Sequence, residues 1–265
     1  MATPMYRQIA EDLRQRVESG ELAPGDQLPT ELELREQYDN ASRNTIRDAI
    51  RWLTTRQLVV TQPGRGTFVV EKINPFVMPL TPEASGVSSG EEDAFVKIVK
   101  QQGGKPRVTG PRVEVQNALD EVARELGIDK GSSVVIRHQQ RRIDNSPSSL
   151  QTSYYPMEFI QQGAVKLLQA ANIEGGATSY LEETLHITQS GYRDRLTVRP
   201  PNPGEVAFFR IPDDGTVLVM VTHRTVYAGG GKPIRYTVTT YAADRNHFVI
   251  EFGEVPDLGD LIRRL

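Results

Sequence analysis

Three arginines at successive four-residue steps, Arg43, Arg47 and Arg51, stand in the stretch "SRNTIRDAIRWL". On a helix that spacing places all three along one face. A guanidinium offers nucleic acid two kinds of chemistry. Charge pairing with phosphate supplies affinity, and a bidentate fork to guanine supplies sequence information. Ser42, Arg43, Asn44 and Thr45 open the stretch, where they can reach base edges or phosphates and where a helix N-terminus itself favours phosphate. Arg47 lies one turn on and can follow the same groove, whereas Arg51 reaches only backbone phosphate. The competing reading is a solvated helix face whose arginines bond to neighbouring acids. A second candidate is "PGRGT", residues 63–67. Either it is a plain hairpin turn, or its glycines let the backbone press against a groove and Arg65 enters a narrow minor groove.

The overall charge gives no such hint. The 265 residues carry a net charge of −3, with 38% hydrophobic and 25% charged residues. That is ordinary globular composition, with no global basic signature. The charge is polarised locally. Residues 1–72 hold 10 Lys/Arg against 11 Asp/Glu, yet from Asn40 to Thr67 there are five arginines and a single acid, Asp48. A surface field follows arrangement rather than the sum, so a basic face fits an acidic chain. There are no cysteines, which excludes disulfides, thiolate catalysis and cysteine–zinc sites. No apolar run nears the roughly 20 residues of a membrane span, and the polar start "MATPMYRQIAEDL" does not read as a signal peptide. The expectation is a cytoplasmic protein with no membrane partner.

The elements that must position the arginines are legible. Tyr6, Ile9, Ala10, Leu13 and Val17 form one helical apolar stripe that ends at Gly20. Thr30 with Glu33 reads as a capping box for a second helix. Ser42 caps a third, whose buried face is Ile46, Ala49, Ile50 and Leu53. Leu58–Val60 and Phe68–Val70 then read as the arms of a β-hairpin around residues 63–66. Helix, helix–turn–helix and hairpin make a winged helix–turn–helix, with the arginine stretch as the recognition helix. Ile73 to about Glu92 is rich in Pro, Ser, Gly and acids and reads as a linker.

Beyond it, "NALDEVARELGI" has helical spacing, while "SVVIRHQQRRI", "GTVLVMVTHRTVYA" and "PIRYTVTTYAA" are strand-like, the last two joined through Gly229–Gly231. This predicts an α+β domain around an antiparallel sheet. Alternation puts Arg137, Gln139 and Arg141 on one face and His138, Gln140 and Arg142 on the other. Arg235, Thr237, Thr239 and Tyr241 share a face of a later strand. Gly176, Ala177 and Thr178, at the start of a helical stretch, can present amides to an anion. Tyr192–Arg195, "YRDR", either line a pocket or form an ion pair. The four histidines are scattered without metal-ligand spacing, and no nucleophile or phosphate-loop motif occurs. No metal, cofactor or catalytic residue is expected.

"LPTELELREQYDNASRNTIRDAIRWL" and "GRGTFV" resemble the DNA-binding domain of GntR-type bacterial transcription regulators, over nearly all of residues 6–70. The resemblance implies that Arg43, Thr45 and Arg47, with Gly64, Arg65, Gly66 and Thr67 of the wing, contact double-stranded operator DNA. Ser42, Asn44 and, in the preceding helix, Thr30 and Arg35 complete the expected set. Leu32 stands where many members carry an arginine, and Arg35 where they have a small residue. The usual operator sequence is therefore not carried over.

"RRIDNSPSSLQTSYYP" and "GTVLVMVTHRTVYAGGGKPIRYTVTTYAADRNHF" are similar to the effector domain of the HutC subfamily, which has a UTRA-type effector domain. The likeness implies a chorismate-lyase-like α+β domain that dimerises and binds small metabolites. In relatives that bind sugar phosphates, two arginines spaced by one residue clamp the phosphate and two acids hold the sugar. The corresponding positions here are Gln139 and Arg141, then Gln151, then Arg235, with Tyr241 kept. One arginine and both acids are replaced, so a sugar phosphate is not the expected ligand; an acidic or otherwise hydrogen-bonding ligand stays open, against a reading of strand-edge charges with no ligand at all.

The expected organisation is a winged helix–turn–helix over residues 1–72, a linker over 73–92, and an effector-binding and dimerisation domain over 93–265. The expected function is a homodimeric DNA-binding transcription regulator, a repressor relieved by a small molecule. One alternative leaves the second domain to dimerisation alone, without a ligand. Another makes it an enzyme by likeness to a lyase fold, but a fold does not carry function.

Overall fold

A computed structural model describes residues 3–56, 58–62, 64–70, 75–80, 91–251, 254–256 and 258–262. The chain divides into two compact units. One is Met1–Asn74 with Ile211–Thr216, and the other is Pro75–Arg210 with Val217–Leu265.

In the first unit α1 (Met5–Glu18), α2 (Glu31–Gln37) and α3 (Arg43–Thr54) precede β1 (Val59–Gln62) and β2 (Gly66–Val69). The stripe on α1 buries Ile9, Ala10 and Leu13 against Leu34 of α2 and Ile46, Ala49 and Leu53 of α3. Thr30 and Glu33 make the capping box in both directions, and the Ser42 hydroxyl accepts from the Thr45 amide. Between α2 and α3 the chain turns through Asp39 and Asn40, both left-handed at φ 50 and 55. Those are residue types whose short polar side chains tolerate that conformation. β1 and β2 pair antiparallel from Val59↔Val69 to Gln62↔Gly66. This is the predicted winged helix–turn–helix.

The second unit opens with β3 (Phe76–Pro79), inside the stretch that the sequence reads as a linker. β3 pairs in parallel with β11 (Asn246–Val249) and buries Val77 and Met78 beside α4 (Glu91–Gln101). The Gln102 side-chain amide clasps both backbone groups of Val77, at 2.9 Å each. The remaining linker positions, 73–74 and 81–90, lie outside the described residues. β4 (Pro106–Val108), β5 (Arg112–Asn117), α5 (Asp120–Leu126), β6 (Ser133–Ile143) and β7 (Ser146–Pro156) follow. Then come α6 (Met157–Gln161), α7 (Gly176–Leu185), β8 (Gln189–Arg199), α8 (Pro203–Phe209), β9 (Val219–Ala228), β10 (Pro233–Ala242) and, after β11, α9 (Leu258–Ile262).

One antiparallel sheet has the order β4-β6-β7-β10-β9-β8, with β5 also on β6. The β6–β7 turn uses Asp144 and Asn145 at φ 49 and 68, the pair of left-handed positions that a tight hairpin needs. On one face α5 packs Val122, Ala123 and Leu126 onto Val134, Ile136 and Tyr236. On the other, α6 and α7 cover Val135, Tyr155, Val226 and Ile234.

Candidate functional site

In the first unit the N-terminal face of α3 is open. Arg43, Asn44, Arg47 and Arg51 are exposed while Ile46, Ala49 and Leu53 are buried. Two of the three arginines are bonded to neighbouring acids, as the competing reading has it. Arg47 Nε donates to Glu31 of α2 at 2.9 Å, and Arg51 to Asp48 at 3.0 Å. Arg43 has no acidic partner among the described residues. Ser42 and Thr45 bond to each other through their hydroxyls at 2.8 Å, so both are committed to the cap. Thr30 likewise spends its hydroxyl on Glu33. Arg35, half-buried, donates its Nε to the Ala41 carbonyl at 3.0 Å and closes the turn between the helices. In the wing, Arg65 donates its amide to the Gln62 carbonyl at 2.9 Å, and Gly64 at φ 73 holds the left-handed turn position. The exposed Arg65 guanidinium lies 5.8 Å from the Phe68 ring, and Thr67 meets Thr61 across the hairpin at 3.1 Å.

In the second unit the face away from α5 carries an unusual load of buried polar side chains. The registers align Arg137, Gln139 and Arg141 of β6 with Ser153, Gln151 and Ser149 of β7. Those align in turn with Thr237, Thr239 and Tyr241 of β10. Arg137, Arg141, Ser149, Gln151, Ser153, Thr237 and Thr239 are all buried. Charged groups are rarely buried without partners, so their partners are informative. Arg137 is a structural clip. Its guanidinium donates to the carbonyls of Leu167, Gln169 and Ala171 at 2.7–2.8 Å and pins that loop to the sheet.

Arg141 is different. Its Nη2 donates to Gln151 Oε1 at 2.5 Å, the Phe95 ring lies 5.2 Å from its guanidinium, and no carboxylate of the described residues pairs with it. Its buried Nε has no partner, and neither has the hydroxyl of Ser149 directly across the ladder. Arg235 reaches Thr178 Oγ1 of α7 at 3.5 Å, so the start of that helix stands at the same face. Gly176 and Ala177 are half-buried there, Gly175 and Gly176 are left-handed, and the Gly176 amide is spent on the Ile173 carbonyl. Gln139 lies at the rim and bonds to Asn172 at 3.1 Å. Tyr241 packs edge-on against Phe248, with ring centroids 5.2 Å apart.

Residues 5–69 match the model of bacterial regulatory proteins of the gntR family, and residues 101–247 match that of the UTRA domain. This chain is a GntR-family regulatory protein. Its two-part organisation is of the HutC type. The transcriptional repressor NagR of Bacillus subtilis (strain 168) is 27% identical over 247 residues, 93% of each chain. The mannosyl-D-glycerate transport/metabolism system repressor MngR of Escherichia coli (strain K12) is 37% identical over 97 residues, 36% of this chain and 40% of its own. PhnF from Mycobacterium smegmatis shares the fold at a TM-score of 0.55 and 20% identity, over 93% of this chain and all of that one. NagR and MngR are transcription regulators and not enzymes.

The GntR-family assignment leaves several groups whose roles only the three-dimensional arrangement gives. In "YRDR" the ion-pair reading holds for Asp194 and Arg195. Asp194 grips Arg224 through two hydrogen bonds of 2.6 and 2.7 Å on the polar face. Arg195 points to the opposite face and pairs with Glu121 at 2.6 Å. The sequence alone does not single out Ser149 and Ser153. Their only signal is the alternation Ser149, Gln151, Ser153 in "SSLQTSYY", which acquires meaning once β7 is known to lie between β6 and β10. Among the described residues no cluster could hold a metal ion, and no helix is long and apolar enough to cross a membrane.

Proposed function

We propose that this regulator is a homodimeric, cytoplasmic repressor whose operator affinity is lowered by a small molecule held on the polar face of the second unit. Each protomer lays α3 in the major groove of double-stranded operator DNA, with Arg43 and Arg47 at base edges and Arg51 on phosphate, and sets the wing tip, Gly64–Thr67, beside it. Ser42, Thr45 and Thr30 serve this interface by shaping the helix ends, and Arg35 by fixing the turn. Residues 1–72 form the DNA-binding part, and residues 93–265 the part that senses ligand and dimerises. The names of NagR and MngR, both repressors, support the direction of control.

One observation carries the ligand reading: Arg141 Nε and Ser149 Oγ are buried, adjacent and unpartnered. Leaving such groups unpaired costs stability, and an acceptor between them removes that cost. A ligand bearing a carboxylate or phosphate, with hydroxyls for Gln139, Gln151, Arg235 and Tyr241, fits this chemistry. Gly176, Ala177 and Thr178 flank the same place.

A thermal-shift screen of acidic metabolites, followed by operator binding, tests the reading. A compound that stabilises the protein and weakens operator binding is expected, with both effects lost in Arg141→Ala and basal DNA binding kept. A ligand response unchanged in Arg141→Ala would place the ligand elsewhere. The reading without a ligand has one observation in its favour, the Gln151 amide already seated on Arg141. A screen without a single hit would favour it.

A further inference from the structure

The wing has a third strand-like neighbour that the recognition reading leaves unused. Gly25 and Leu28 donate their amides to the carbonyls of Val69 and Thr67 at 3.0 and 2.7 Å, and Val69 donates back to Asp26 at 2.7 Å. Gln27 therefore stands opposite Phe68 on the outer side of β2. Its side chain runs along the strand to the wing tip, where Nε2 donates to the Arg65 carbonyl at 3.1 Å. Gly66 lies in between. A Cβ at that position would come within 2.4 Å of the same Nε2, and the backbone there has φ 124, which side chains of the L hand rarely adopt. Glycine at 66 and glutamine at 27 thus fit each other, because the missing side chain leaves the lane that the amide occupies. The tip is held from two sides. The Gln62 carbonyl takes the Arg65 amide, and Gln27 takes the Arg65 carbonyl.

We infer that Gln27 is a positioning residue for DNA binding: its side-chain amide fixes the Arg65–Gly66 peptide and thereby aims the Arg65 side chain. The inference rests on the proposed contact of Arg65 with DNA. A free tip must be ordered when it docks, and that ordering weakens binding; a tip already held avoids the loss. Gln27 is itself exposed, and the carbonyl it serves has water as an alternative partner. Removing the amide therefore affects docking and leaves folding alone.

The test uses a duplex that the wild-type protein selects from a random-sequence library, with binding read by fluorescence anisotropy. Four proteins are compared: wild type, Gln27→Met, Arg65→Ala and the double variant. Methionine keeps the length of the side chain and lacks the donor. Gln27→Met is expected to weaken binding about 3- to 10-fold, the worth of one net hydrogen bond. Arg65→Ala is expected to weaken it at least as much, and the double variant no more than Arg65→Ala alone, with all thermal midpoints unchanged. A Gln27→Met loss that persists undiminished beside Arg65→Ala would make Gln27 merely structural and overturn the inference. So would wild-type binding by Gln27→Met while Arg65→Ala binds weakly. Wild-type binding by Arg65→Ala is a separate outcome, which removes the DNA role of Arg65 and the inference with it.

Discussion

At the scale of single residues, the same side chain does different things according to what it meets. Arg137 and Arg141 share a strand face four residues apart, yet one is saturated by loop carbonyls and the other keeps a buried nitrogen open. The recognition face repeats the contrast. Arg43 has no acidic partner among the described residues, so its proposed contact with DNA is undiluted. Arg43→Ala is expected to weaken operator binding by about 1–3 kcal/mol, measured by anisotropy. Wild-type affinity in that variant would defeat the recognition assignment of α3. Arg47 must first part from Glu31. In the proposed complex that acid also stands near the phosphates, which it repels. Glu31→Gln should therefore raise affinity for a scrambled duplex severalfold. Unchanged affinity for scrambled DNA would mean that the pair is broken without cost.

At the scale of elements, α5 and the sheet trap a small hydrogen-bonded chain. Tyr236 donates to Glu121 at 3.1 Å, which leaves its oxygen to accept from His223 Nδ1 at 2.7 Å. That arrangement puts a proton on Nδ1 of His223. Burial opposes the ionised form of Glu121, but hydrogen bonds from Arg195 and Tyr236 outweigh it and hold its pKa below the usual carboxylate range. Burial, with nearby Arg195 and Arg199, pushes His223 down against the opposing pull of Glu121 and Glu125. The unfolded chain therefore takes up this proton at a higher pH than the folded chain. The stability involved is complete above the ordinary value of 6.5 and is lost as pH falls from there toward the folded value. His138 is depressed by burial in the same sense. His223→Gln should accordingly reduce, without abolishing, the fall in thermal midpoint below about pH 6.5. An identical pH profile in the variant would refute the buried neutral histidine.

Such networks were not legible in the sequence, because Glu121 and His223 meet only through the order of the strands. Nor was β3, whose partner β11 begins at Asn246, far along the chain. The helix–turn–helix was legible because caps and 3.6-residue stripes are local signals. The polar row on β6 was legible as alternation, but which of its arginines stays open depended on the loop that Arg137 holds.

At the scale of the whole molecule, an acidic chain must bind a polyanion through a local patch. The net charge of −3 is spread over the chain. Its repulsion is screened beyond a Debye length of roughly 8 Å at physiological salt, whereas arginines in contact with phosphate act inside that distance. In the proposed dimer, Arg43, Arg47, Arg51 and Arg65 of both protomers bound the number of charged contacts at about eight. The slope of log affinity against log salt should then be no steeper than about −7. The arginines divide by what they read. Arg51→Ala removes one phosphate contact per protomer, so it should flatten the slope by about two and weaken operator and scrambled duplexes alike. Arg43→Ala should also narrow the ratio between the two duplexes, because a base contact is lost with the charge. Salt series on both duplexes with both variants decide the matter. A change in that ratio for Arg51→Ala, or none for Arg43→Ala, would reverse their placement along the groove and move the base-reading end of α3 away from its N-terminus.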